Sequence, residues 1–113
     1  MITLQIVERH DSGLFEALRT AMRSGSLHTF YLQRRGRKVS HVSNPGWMNW
    51  RYCDGVVSGT IVSPRRPGME WKFLRDFLGR VADRYADRVL NIGIQFPDAS
   101  PPEKKRGGRR RRK

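Results

Sequence analysis

The dipeptide Asp54–Gly55 lies between two alternating runs, "WMNWRYC" and "VVSGTIV". A two-residue hairpin loop needs left-handed backbone at both positions, and Asp-Gly adopts it at little cost. With this loop the pairing is fixed. Cys53 faces Val56, Tyr52 faces Val57, Trp50 faces Gly59 and Met48 faces Ile61. The opposite side pairs Arg51 with Ser58, Asn49 with Thr60 and Trp47 with Val62. A slip of one residue would turn every side chain to the wrong face. Met48, Trp50 and Tyr52 therefore read as core, and Asn49 and Arg51 as a polar surface. The missing side chain of Gly59 is expected to make room for the Trp50 indole. Trp47 falls at the edge of the polar side or folds as a turn residue over Val62.

A second hairpin precedes this one. In "FYLQRRGRKVSH" a loop at Arg35–Gly36 would set Arg34 opposite Arg37 and Leu32 opposite Val39. It sets Phe30 opposite His41, Gln33 opposite Lys38 and Tyr31 opposite Ser40. "SNPG" at 43–46 reads as a chain break. The opening run "ITLQIVE" alternates as a half-buried strand. Asp11 or Ser12 can cap the helix that follows, in which Leu14, Leu18, Ala21 and Met22 recur at helical spacing. Gly25 is its natural stop. After the loop "SPRRPG", residues 69–88 predict the longest helix, with Trp71, Leu74, Leu78, Val81 and Tyr85 on its apolar side. Gly79 inside that helix implies close packing, since glycine there costs about 1 kcal/mol against alanine. "VLNIGIQF" closes the fold with Leu90, Ile92, Ile94 and Phe96 on one side.

The order β-α-β-β-β-β-α-β, with one apolar sheet face and two amphipathic helices, predicts an α+β two-layer sandwich. The sheet should be mainly antiparallel, with both helices on one face. By analogy with ferredoxin-like folds, the terminal strands would pair in the middle. A single α+β domain is expected over 1–97, and a disordered Pro/Gly/Arg-rich basic tail over 98–113.

Charge narrows the partners. The chain has 113 residues and a net charge of +13. "EKKRGGRRRRK" at 103–113 holds eight basic residues and one acidic, a net +7, which leaves fifteen against nine, a net +6, on residues 1–102. Arginine dominates, and its planar fork suits phosphate and flat rings. The polar sheet side gathers Tyr31, Gln33, Lys38, Ser40, Trp47, Asn49, Arg51, Ser58 and Thr60. Arg34, Arg35 and Arg37 cluster at one hairpin tip, and Arg65 and Arg66 in another loop. Sheets bearing aromatics and arginines commonly hold single-stranded nucleic acid. The expectation is thus a nucleic-acid-binding protein, RNA or single strands ahead of duplex DNA. It would use Tyr31, Gln33, Trp47, Asn49 and Arg51, with Arg34, Arg35, Arg37, Lys38, Arg65 and Arg66. The tail residues Lys104, Lys105, Arg106, Arg109, Arg110, Arg111, Arg112 and Lys113 would add affinity through counterion release.

Other classes find less support. There is no Gly-rich phosphate loop, RNP-type motif or paired Cys/His finger. Cys53 is the single cysteine, which rules out an internal disulfide or a cysteine-based zinc site and suits an intracellular setting. No cofactor or metal is implied. A small ribonuclease-type enzyme is the catalytic alternative, with His10, His28, His41, Tyr31 and Arg51 as the residue types that acid–base cleavage would need. A protein-interaction or assembly factor with a basic targeting tail is the third reading, with a protein partner or a homodimer through an edge strand. A membrane role ranks last, because no apolar run approaches the roughly 20 residues of a spanning helix.

Overall fold

The computed structural model describes residues 1–96. The basic tail lies outside the described residues. Eight main elements follow in the expected order: β1 (Ile2–Glu8), α1 (Leu14–Ser24), β2 (Phe30–Gln33), β3 (Lys38–His41), β4 (Asn44–Cys53), β5 (Val56–Val62), α2 (Met69–Tyr85) and β6 (Val89–Gln95). A short 3-10 turn at Ala86–Arg88 joins α2 to β6. The strands form one antiparallel sheet in the spatial order β2-β3-β4-β5-β1-β6. The terminal strands do pair, but not in the middle. β1 is inserted between β5 and β6, and β6 is an edge.

Both central registers follow from their turns. β4 meets β5 with Cys53 opposite Val56, Trp50 opposite Gly59 and Trp47 opposite Val62. Asp54 and Gly55 have φ of 49° and 81°, the left-handed pair this loop demands. β2 meets β3 with Phe30 opposite His41 and Gln33 opposite Lys38. Its tip is wider than a two-residue loop. Arg34, Arg35 and Gly36 all have positive φ, so Arg34 and Arg37 belong to the turn and do not face each other in the ladder. β3 and β4 are joined at Val42–Ser43, and "NPG" begins the next strand instead of breaking the chain. Pro45 is tolerated there because the ladder shifts register between Ser40 and His41, and the Asn44 Oδ1 accepts the Gly46 N–H at 2.7 Å.

Both helices cover one sheet face. Leu14, Leu18, Ala21 and Met22 of α1 and Phe73, Leu74, Phe77 and Val81 of α2 are buried with Ile2, Leu4, Ile6, Phe30, Val39, Met48, Trp50, Val57 and Ile61. The inward face of α2 is rotated from the expected stripe. Phe73 takes the core position, while Trp71 is 59% exposed and stacks on Phe96, with ring centroids 4.5 Å apart. The cause is placement. Trp71 lies on the flank of α2 that looks toward the edge strand. The same edge leaves Leu90, Ile92 and Phe96 exposed.

Three further details differ from the sequence reading. Met48, not Trp50, fills the space over Gly59, where an added Cβ would lie 2.6 Å from the Met48 Sδ. Gly79 has nothing within 4 Å of where its Cβ would stand, so no close packing explains it. The N-cap of α1 is Gly13 in left-handed conformation, without a side-chain cap from Asp11 or Ser12. The cap instead comes from β1, whose Glu8 Oε1 accepts the Leu14 N–H at 3.2 Å.

Candidate nucleic-acid interface

Alternation along the strands sends every second side chain to the sheet face away from the helices. β2 contributes Tyr31 and Gln33, β3 contributes Lys38 and Ser40, and β4 contributes Trp47, Asn49 and Arg51. β5 adds Ser58 and Thr60, and β1 adds Thr3 and Gln5. Tyr31, Gln33, Lys38, Trp47, Asn49 and Arg51 thus share one surface. At its centre a shallow depression of about 300 Å³ is lined by Thr3, Gln5, Asn49, Arg51, Ser58 and Thr60.

Some of these groups are already engaged. Trp47 is half-buried in the ladder between Ser40 and Val62, not folded back as a turn residue. The Lys38 ammonium lies over its ring, 4.3 Å from the centroid, a cation–π contact. Gln33 Oε1 accepts the Ser40 hydroxyl at 2.8 Å. Tyr31, Asn49 and Arg51 are exposed.

The distribution of carboxylates sets this face apart. Eight acidic residues fall among the described residues, and none of them is on it. Glu8 points to the helix side. Glu16 is on α1; Glu70, Asp76 and Asp83 are on α2. Asp87 lies in the 3-10 turn, and Asp11 and Asp54 are in loops. The face therefore combines two cations, Lys38 and Arg51, with neutral hydrogen-bonding side chains and two aromatic rings.

Basic loops stand at opposite ends of the strands. Arg34, Arg35 and Arg37 are exposed at the β2–β3 tip. That tip is anchored from the core: the Trp50 indole N–H donates to the Gly36 carbonyl at 2.7 Å, and the Trp50 backbone N–H donates to the Arg37 carbonyl at 3.1 Å. The Arg19 guanidinium from α1 packs against Gly36. Arg65 and Arg66 are exposed in the loop after β5, at the Trp47 end. There the Ser63 hydroxyl donates to the Arg66 carbonyl at 2.8 Å. Lys104, Lys105, Arg106, Arg109, Arg110, Arg111, Arg112 and Lys113 lie outside the described residues.

The histidines stand apart from Tyr31 and Arg51. His10 and His28 are exposed in loops. His41 faces the helices, packs edge-on against Phe30 at 4.8 Å, and accepts the Ser43 N–H on Nδ1 at 3.1 Å. Its Nε2 is 3.8 Å from Asp76, too far for a hydrogen bond. Burial lowers the His41 pKa below its usual value, against the pull of Asp76. A cleft of about 300 Å³ beside it is lined by Thr29, Arg75, Asp76, Arg80 and Asp83.

One polar pair escaped the sequence reading. The Tyr52 hydroxyl donates to the Glu8 Oε2 at 2.6 Å, and this bond raises the Tyr52 pKa. Tyr52 is on the helix side but at its rim, 42% exposed, with its ring stacked on Phe15. The signal was the parity of β1, which puts Glu8 on the same side as Ile2, Leu4 and Ile6. A carboxylate at an inward position calls for buried partners.

Residues 41–66, the stretch containing β4 and β5, match the family model described as Clostridial hydrophobic W. The match covers 26 of the 113 residues. No curated protein and no solved structure matches the chain.

Proposed function

We propose that this domain binds single-stranded nucleic acid across the open face of its sheet, RNA ahead of DNA. The observation that carries the proposal is the sorting of charge. A chain with ten acidic residues keeps the eight described ones off a surface that holds Lys38, Arg51, Tyr31, Trp47 and seven neutral polar side chains. A polyanion docking there meets no carboxylate. Tyr31 offers a free ring for base stacking, Arg51 and Lys38 offer charge, and the amides and hydroxyls offer hydrogen bonds. The basic loops at either end would carry the backbone onward, and the tail would add contacts that do not read sequence.

The test inserts charge on that face. Ser58→Glu places a carboxylate beside Arg51, its cross-strand partner. Binding to a short single-stranded oligonucleotide at fixed salt should weaken at least tenfold. Ala82→Glu on the exposed side of α2 should leave binding within about twofold. Equal effects from both would reject the sheet face as the contact surface.

A second reading rests on one different place. The cleft that brings His41, Asp76, Arg75 and Arg80 together has the residue types of a small ribonuclease-type enzyme. Cleavage of the oligonucleotide that disappears in His41→Gln, with binding retained, would favour it.

A further inference from the structure

We propose that two copies of this chain join through β6, edge to edge and antiparallel, about a two-fold axis at Gly93. Three observations meet at this strand.

The edge lacks charge and proline, and its one irregularity is confined to the end where the register shifts between Asn91 and Val89. Sheet edges are normally blunted by charge, proline or short length. β2, the opposite edge, has four residues and runs straight into Arg34, Arg35 and Arg37. β6 has seven residues, and from Val89 to Phe96 the chain has no charge and no proline. In a chain this basic, eight consecutive uncharged residues on an open edge stand out.

The apolar exposure of the domain is concentrated beside it. Trp71, Leu90, Ile92 and Phe96 are four of the eight large apolar side chains left exposed among the described residues. Trp71 and Phe96 are stacked on each other with their outer faces open. Residues 97–113 do not match this surface, since they hold no aromatic side chain and no apolar one larger than proline. A second copy does.

The strand is its own complement. Glu8 donates its N–H toward β5, to Gly55, and Arg9 donates toward β6, to Arg88. By the alternation of an antiparallel ladder, Thr3, Gln5 and Val7 then bond to β6, through Gln95, Gly93 and Asn91. The N–H and C=O groups of Ile92 and Ile94 are left pointing to the open edge. Centred on Gly93, a second β6 sets Ile92 opposite the partner's Ile94 and Asn91 opposite the partner's Gln95, all within the regular stretch that ends at Asn91. Each free N–H of Ile92 and Ile94 meets a free carbonyl, and every facing pair is apolar with apolar or amide with amide. Gly93 itself fits this role. A Cβ there would meet only ordinary contacts within the monomer, at 3.6 and 3.7 Å, so the monomer does not require glycine. The two-fold axis, where two strands approach closely, is a reason for it.

Sedimentation and light scattering at about 100 μM, with no nucleic acid present, should give twice the chain mass. Ile92→Lys should return it to a folded monomer whose melting temperature no longer depends on protein concentration. Register is tested by cross-linking in a Cys53→Ser background, because Cys53 is exposed. Residues facing each other without a ladder bond are about 4.5 Å apart at Cα, inside the roughly 4.4–6.8 Å that a disulfide spans. Gly93→Cys should therefore cross-link readily under mild oxidation, and Gln95→Cys should not. A monomeric parent, a dimeric Ile92→Lys variant, or equal cross-linking from both cysteines would overturn the proposal. None of these outcomes bears on whether the sheet face binds nucleic acid.

Discussion

The indole N–H of Trp50 reaches out of the core to the carbonyl of Gly36, 2.7 Å away, and so fixes the tip that carries Arg34, Arg35 and Arg37. Trp50 is 4% exposed. One side chain thus belongs to both the packing and the basic surface.

Two substitutions at Trp50 separate these roles. Trp50→Phe keeps most of the buried area but leaves the Gly36 carbonyl without its donor, at about 1–3 kcal/mol. Trp50→Ala adds the cavity and should cost about 3–5 kcal/mol. Denaturant melts give both values. Amide exchange at residues 34–37 should speed up in the Phe variant while the β4–β5 ladder stays protected.

Gly79 offers the opposite sign. It lies inside α2 with open space around it. Gly79→Ala should raise stability by about 1 kcal/mol, which for a domain of this size raises the melting temperature by roughly 4–8 °C. A lower melting temperature would show that an unseen contact needs the glycine.

Tyr31 and Arg51 test the sheet face without disturbing the fold. Both are exposed, so alanine at either should change stability by no more than about 0.5 kcal/mol. In a chain ending at residue 102, Tyr31→Ala should weaken single-strand binding by about 1–3 kcal/mol if bases stack there. Parent-like binding by both variants would leave only loops and tail as contacts.

Removing residues 103–113 should leave the thermal melt unchanged, because the segment contains no apolar side chain. If half of its eight cations touch phosphate, the log–log salt slope on single strands should fall by roughly 3. An unaltered slope would show that the tail makes no such contacts.

His41 makes stability depend on pH. Burial favours its neutral form, with Lys72 and Arg80 acting the same way and Asp76 opposing them. The native pKa is therefore below 6.5, and the unfolded chain takes up the proton first. The contribution is fully present above pH 6.5 and is lost as the pH falls through the native value. Between pH 7.5 and 5 the parent should lose more in melting temperature than His41→Gln. Equal losses would assign the acid sensitivity to other groups.

The parts legible in the sequence were those set locally. The β4–β5 register could be read because Asp54–Gly55 admits one loop and the alternation on either side admits one face. The β2–β3 pairing held even though its tip takes up four residues. The parts that stayed hidden depend on distant neighbours. Periodicity grouped Ile92, Ile94 and Phe96 on one side of a strand, but it cannot say whether anything covers that side. Trp71 was placed in the core for the same reason: its spacing was helical, and only the position of α2 on the sheet decides which stripe is inward. Glu8 and Tyr52 are 44 residues apart and meet because β1 inserts beside β5. On the candidate face, alternation identified which residues share a surface. The absence of carboxylates there became visible once β1 and β6 had their places.

Arg34 and Arg35 keep φ of 52° and 58°, a conformation that L-residues with long side chains occupy at a cost. Glycine or asparagine would relieve it. A laboratory selection for heat resistance alone would therefore drift toward those residues at 34 and 35 and erase the cations of the tip. A parallel selection that also demanded polyanion binding would hold the arginines in place. The divergence of two such lineages at these two positions would record how much folding stability the natural chain forgoes to keep charge there.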